Sequence, residues 1–220
     1  MINFVPFWVP RPDHARHTDY AECLRLQRAS CERVGLRQVV ITEPGALPGF
    51  TTFEAPTAEL ALMRAFLAGQ RAYLASDAFD ADTILTGADC LALYDPAPVF
   101  DGGFDIAVTT HPFADCILNS GTIFCPLAAR EKLVAIWDAA LARMGERWGD
   151  DQRALAAVLR PTLEHGDHDR DGLRLRCLPC EAYNEAPDTV NAMIQPLVAH
   201  FRGPRKAWMK KWYSRHLRLT

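Results

Sequence analysis

The chain contains no apolar run approaching the roughly 20 residues that a membrane-spanning helix requires. Its apolar start, Met1-Ile-Asn-Phe-Val-Pro-Phe-Trp-Val-Pro10, is short, broken by Pro6 and Pro10, and carries no basic leader. It reads as a first buried strand, not as a secretion signal. Internal repeats, low-complexity tracts and a clear linker are absent as well, so the 220 residues are expected to form one sizeable domain. A strong charge excess is missing too, the net charge being −3. The seven cysteines are odd in number and scattered. That pattern excludes a simple disulfide framework and fits buried thiols of a reducing compartment. The expected setting is the cytoplasm, with at most a peripheral membrane contact.

One local absence is more pointed. From Phe201 to Thr220 there is no acidic residue, whereas Arg202, Arg205, Lys206, Lys210, Lys211, Arg215 and Arg218 are all basic. Such asymmetry calls for a polyanionic ligand or an anionic surface, with a solvated basic tail as the competing explanation. The expected division is a domain over residues 1–208 and a basic, aromatic tail over residues 209–220.

What is present is an ordinary globular composition, 49% apolar and 23% charged. Asp19 with Glu22 forms a capping box, and Tyr20, Cys23, Leu24, Gln27, Cys31 and Val34 keep helical spacing up to Gly35. The pattern continues with a strand over Gln38 to Thr42 and a Gly- and Pro-rich loop from Pro44 to Pro56. A helix carries Leu60, Met63, Leu67 and Leu74, and strands follow at Asp82 to Thr86 and Asp105 to Thr109. Leu133, Trp137, Leu141, Met144 and Trp148 predict one long amphipathic helix, and another runs from Asp151 to Leu159. A polar loop then leads to late strands at Arg174 to Leu178 and Pro196 to Ala199. Alternating strands and helices imply a single α/β domain, its mostly parallel central sheet covered by helices on both faces.

In such sheets ligands gather beyond the carboxyl ends of the strands. Asp80-Ala-Asp82 precedes its strand and lies at the wrong end, whereas Asp89 follows the same strand and lies at the right one. A single carboxylate can serve magnesium or manganese when phosphates and water complete the shell, and it can equally cap a turn.

Five segments then occur in order: Leu85-Thr-Gly-Ala-Asp-Cys-Leu-Ala-Leu-Tyr-Asp-Pro96, Asn119-Ser-Gly121, Asp150-Asp-Gln152, Leu178-Pro-Cys-Glu-Ala-Tyr-Asn184 and His200-Phe-Arg-Gly-Pro-Arg-Lys206. The set resembles retaining GT-A glycosyltransferases of the glycogenin and lipopolysaccharide galactosyltransferase type, over the stretch from Leu60 to Trp208. The resemblance implies a Rossmann-like GT-A domain that moves a sugar, with retention, from a nucleoside-diphosphate donor, UDP above all, to a hydroxyl acceptor. It assigns the metal, Mn2+ or Mg2+, to Asp89 and His200. The diphosphate falls to Gly203 and Lys206, reinforced by Arg202 and Arg205, with Arg64 near the donor and Val9 and Pro10 beside the base. Asp151, Gln152 and Asn119 would face the donor sugar and the reacting centre. The family's metal motif has two aspartates separated by one residue, and Gly87 stands where the first should be.

The acceptor implied is a saccharide or a lipid-linked one, with a modified base in DNA as the second possibility. The tail after Trp208 suits an anionic membrane face, nucleic-acid phosphates or simple packing on the domain. A binding protein that has lost catalysis is the competing function. A further rival is structural zinc at His165-x-x-His168 with Cys177-x-x-Cys180.

Overall fold

The computed structural model describes residues 1–11, 18–112, 116–145 and 147–217; Arg218 of the basic run lies outside them. Eleven strands and six α-helices follow one another in the described residues. The main sheet has nine strands in the order β4-β3-β1-β5-β8-β7-β10-β9, with β2 also paired to β1. These are β1 (Asn3–Phe7), β2 (Arg37–Gln38), β3 (Val40–Thr42), β4 (Thr52–Glu54), β5 (Thr83–Gly87), β7 (Ile106–Thr110), β8 (Leu118–Cys125), β9 (Gly166–Arg170) and β10 (Leu173–Pro179). β1 runs parallel to β2, β3 and β5, β3 to β4, and β7 to β10. β8 runs antiparallel between β5 and β7, and β9 is an antiparallel edge on β10. The sheet is thus mostly parallel, as expected.

Period-two alternation explains the two covered faces. Val5, Phe7, Leu85, Ile106, Val108, Ile123 and Leu175 point into one core with α2 (Leu62–Ala75), α3 (Arg130–Leu141) and α4 (Asp150–Leu159). Their neighbours Phe4, Ile84, Ala107 and Phe124 point the other way, where Cys31 of α1 (Tyr20–Arg33) meets them. On that side a small antiparallel pair, β6 (Cys90–Ala92) and β11 (Val198–His200), sets His200 opposite Cys90. α6 (Met209–His216) packs there too: Met209 and Trp212 are buried with Cys23, Leu26, Leu91 and Phe201.

Four sequence expectations need correction. The strand expected over Gln38 to Thr42 is two short pieces, because the Val39 N–H turns to the Phe4 carbonyl between them. The loop expected from Pro44 to Pro56 contains β4, which gains its hydrogen bonds from β3 and not from its own propensity. The polar loop before Arg174 contains β9, whose charged residues suit an exposed sheet edge. The long helix expected to reach Trp148 ends at Leu141, and Gly149, in the left-handed region at φ 80°, forms the turn into α4. Among the described residues, no helix is long and apolar enough to cross a membrane.

Candidate active site

The carboxyl ends of β1, β5, β7 and β10 share one side of the sheet, and the chain's chemistry collects there. Antiparallel β8 contributes its opposite end, so Asn119 lies beside Thr109 and Leu118 beside Thr110. Its register with β7 then jumps: Val108 pairs with Ile123 while Thr109 pairs with Asn119. Ser120 and Gly121 lie in that irregular stretch, and bulges of this kind re-aim side chains beside active sites.

Asp89 sits just past β5 and is buried. The Phe201 N–H bonds the Asp89 carbonyl at 2.8 Å, which extends the pairing of β11 with β6 and draws His200 alongside. His200 Nε2 lies 3.6 Å from Asp89 Oδ1, and Lys206 Nζ lies 2.9 Å from Asp89 Oδ2. A side chain at position 87 would crowd this group, since a Cβ there would stand 2.5 Å from Asp89 Oδ1. Asp89 thus occupies the space that Gly87 leaves free. Burial lowers the Lys206 pKa, but the charge and hydrogen bond of Asp89 together outweigh it and the net shift is upward. The lysine is charged.

His200 is ordered by a chain of hydrogen bonds. Thr109 Oγ1 donates to the Asn119 carbonyl at 3.0 Å and accepts from Asn184 Nδ2 at 3.1 Å. Asn184 Oδ1 therefore faces His200 Nδ1, 3.1 Å away, and that nitrogen must carry the proton. Nε2 is left with its lone pair on the Asp89 side. Burial holds the His200 pKa below its ordinary value despite the pull of Asp89, so the imidazole is neutral near neutral pH.

These residues fit a divalent cation. Asp89, Cys90 and His200 offer ligand atoms within 4.8 Å of one another, the one such group among the described residues. Burial raises the Cys90 thiol far above its usual range, its sulfur contacts the Gly121 carbonyl at 3.6 Å, and soft sulfur is a poor ligand for a hard ion. Asp89 and neutral His200 remain, and magnesium and manganese accept such partial protein shells. The zinc reading fails. Cys177 points into the core, whereas His168 sits on the edge strand with Nε2 2.9 Å from the Glu164 carbonyl.

A cavity of about 440 Å³ surrounds this group. On its wall the first turn of α4 carries Asp151 and Gln152, and β8 binds both side chains. The Ser120 N–H donates to Gln152 Oε1 and the Ser120 hydroxyl to Asp151 Oδ2, each at 3.0 Å. With its oxygen engaged, Gln152 keeps its NH2 group for a ligand. Burial raises the Asp151 pKa against the help of the Ser120 hydrogen bond. An adjoining slot of about 130 Å³ is lined by Phe7, Trp8, Val9, Tyr20 and Phe66, and shares Asp89 and Lys206 with the larger cavity.

Of the expected residues, Asp89, Asn119, Asp151, Gln152, His200, Arg202, Gly203 and Lys206 line the cavity, and Val9 lines the slot. Pro10 and Arg64 are exposed and line neither. Arg205 also lines neither and lies 3.6 Å from Asp188. Sequence reasoning gave no role to Ser120, Thr109, Tyr20 or Trp148. Ser120 was within reach, inside Asn119-Ser-Gly121; Thr109 meets Asn184 only through the pairing of β7 with β10.

The mostly parallel sheet that gathers a carboxylate, an imidazole and a lysine beyond β5 has the GT-A fold of solved glycosyltransferases. The chain resembles the crystal structure of a glycosyltransferase involved in glycosylation of the major capsid of PBCV-1, at TM-score 0.64 and 12% identity, over 96% of this chain and 98% of that one. It also resembles the galactosyltransferase LgtC in complex with donor and acceptor sugar analogues, at TM-score 0.52 and 12% identity, over 96% and 95% of the two chains. An active-site variant of LgtC carrying glutamate for glutamine superposes with a TM-score of 0.51 at 12% identity. No protein-family model and no characterised protein matches at the level of sequence. The likeness is one of fold.

Proposed function

We propose that the protein is a glycosyltransferase that moves a hexose-like unit, with retention, from a nucleoside-diphosphate sugar, a UDP-sugar first among candidates, to a hydroxyl acceptor. The observation that carries this reading is the convergence, in one cavity of this fold, of the Asp89–His200–Lys206 group with Asp151 and Gln152. The first group suits a diphosphate and its cation; the second suits sugar hydroxyls.

The base lies in the slot between Trp8, Tyr20 and Phe66, and the diphosphate extends toward Lys206. Gly203, at φ 62° with open space where a Cβ would stand, lets the backbone approach the phosphates. Arg202, on the same wall, adds positive charge. Asp151 accepts hydrogen bonds from sugar hydroxyls, and the Gln152 NH2 donates near the anomeric carbon. In LgtC too, a glutamine belongs to the active site. Asp89 and His200 would hold manganese or magnesium, which neutralises charge on the departing diphosphate. The acceptor enters from the open side, and a saccharide, free or lipid-linked, suits that polar wall better than a DNA base.

A thermal-shift screen of nucleotide sugars with and without manganese, followed by NMR of the turned-over donor, tests this reading. Stabilisation by one donor class and release of its nucleoside diphosphate are expected. A second reading, a sugar-nucleotide binding protein without catalysis, is favoured by the lysine that covers the single carboxylate. Binding with no turnover of any donor would establish it.

A further inference from the structure

Trp148 is 75% exposed, yet it lines both the polar cavity and the apolar slot. Among the described residues, the other large apolar side chains left exposed, Met1, Tyr94, Leu163 and Met193, line neither. Single exposed apolar residues need no explanation in general. The bracing beneath this one does.

The turn that carries Trp148 is tied from several sides. Asp150 Oδ2 accepts from the Arg147 N–H at 2.8 Å, and the Asp150 N–H returns a bond to the Arg147 carbonyl at 3.1 Å. Arg153 grips the same turn, donating from Nη2 to the Trp148 carbonyl at 2.7 Å and from Nε and Nη2 to Asp150 Oδ1 at 2.9 and 2.7 Å. Gly149 provides the left-handed residue that lets the chain swing into α4. The backbone is fixed while the indole stays uncovered. A large flat group held this way loses little entropy when a ligand covers it.

The position names the ligand. Asp151 and Gln152 follow within one helical turn, so a ring lying on the indole meets hydrogen-bonding groups along its edge. Met63 and Phe66, like Trp148, line both cavities and add apolar surface. A ring with an apolar C–H face and a hydroxyl-bearing rim satisfies both halves of this surface. We propose that Trp148 is a stacking platform for a pyranose ring, a binding role that rests on the sugar-transfer reading and locates the sugar within it. A nucleobase is the poorer occupant, because Phe7, Trp8 and Tyr20 already form an apolar slot away from the Asp151–Gln152 wall.

The test uses wild type, Trp148→Ala and Trp148→Phe, titrated calorimetrically with UDP, UDP-glucose and UDP-galactose in the presence of manganese, with GDP and GDP-mannose alongside. Because Trp148 is exposed, both variants are expected to fold. If the donor sugar is the occupant, Trp148→Ala leaves nucleoside-diphosphate affinity within about twofold and weakens the nucleotide sugar about fivefold to tenfold, with Trp148→Phe in between. If the acceptor is the occupant, donor affinities are unchanged, and saturation-transfer NMR of the nucleotide-loaded protein shows contact with methyl hexopyranosides that Trp148→Ala abolishes. Unchanged binding of every ligand overturns the platform, as does equal weakening of UDP and UDP-sugars, which would make the base the occupant. Failure of the wild type to bind any of these nucleotides refutes the transfer reading and the platform with it.

Discussion

Lys206 Nζ lies 2.9 Å from Asp89 Oδ2, and both side chains are largely buried. The carboxylate beside His200 is therefore covered by a cation of the chain's own, and any metal held there must compete with it. A diphosphate resolves the competition by giving Lys206 another anionic partner. Lys206→Met is accordingly expected to increase manganese affinity in the absence of nucleotide while weakening UDP about tenfold or more. Removing the lysine also leaves a buried carboxylate unpaired, at a cost of about 3 kcal/mol. Manganese electron paramagnetic resonance with and without UDP, together with melting curves, reads all three effects. Equal manganese affinity in the variant and the wild type would show that the ion pair does not restrain the site.

Gly121 makes room for His200. A Cβ at this position would run into the His200 ring and come within 3.0 Å of Asn184 Nδ2. Both lie inside a packed network, so Gly121→Ala is expected to cost about 1–3 kcal/mol and to loosen manganese binding by displacing the imidazole. Asn184→Leu attacks the same imidazole with a side chain of the same branching and heavy-atom count but no polar atoms. It removes the acceptor on Nδ1, so nitrogen-15 spectra should show the loss of the single tautomer imposed in the wild type. A tautomer unchanged in Asn184→Leu would mean that another group orients the ring.

The alternation of strands and helices was legible because hydrophobic spacing is local, and that spacing located α1, α2, α4, β5, β7 and β10. What was illegible depended on partners. β4 and β9 are strands only because β3 and β10 lie beside them, and the turn between α3 and α4 is held by Arg153 of α4, which donates to the Trp148 carbonyl. In the site, Asp89, His200 and Lys206 were visible as residues, but their mutual pairing follows from β6 joining β11. The family resemblance put Arg64 near the donor; in the structure it is exposed on α2 and lines neither cavity.

Asp151 supplies a pH test. Burial raises its pKa, so the folded protein disfavours the ionised form more than the unfolded chain does. The stability penalty is present above the native pKa and fades as pH falls through it. Asp151→Asn should therefore melt slightly higher than wild type at neutral pH, with the difference closing on acidification, while transfer falls about a hundredfold. Melting temperatures across pH 4 to 8 check the first half, on the scale set by an ordinary carboxyl near pH 4. A variant less stable at neutral pH would show that the charge is compensated.

For the tail beyond Trp208 the sequence left an anionic membrane face, nucleic-acid phosphates and packing on the domain open; in the structure its aromatic and basic residues divide by face. Met209 and Trp212 are buried against Phe201, Leu91 and Cys23, and the Trp212 indole N–H donates to the Ala192 carbonyl at 2.8 Å. Lys210 reaches Glu22 of α1 at 2.9 Å, whereas Lys211 and Arg215 are exposed. The helix thus anchors the segment that carries Lys206. Trp212→Ala is expected to cost about 3–5 kcal/mol and to weaken UDP binding through Lys206, whereas Lys211→Glu with Arg215→Glu should leave stability within about 0.5 kcal/mol. Calorimetric melting and UDP titration separate the two. If the charge reversal alone lowered donor binding or stability, the exposed face would belong to the site, and the division of the helix into an anchoring face and a solvent face would be wrong.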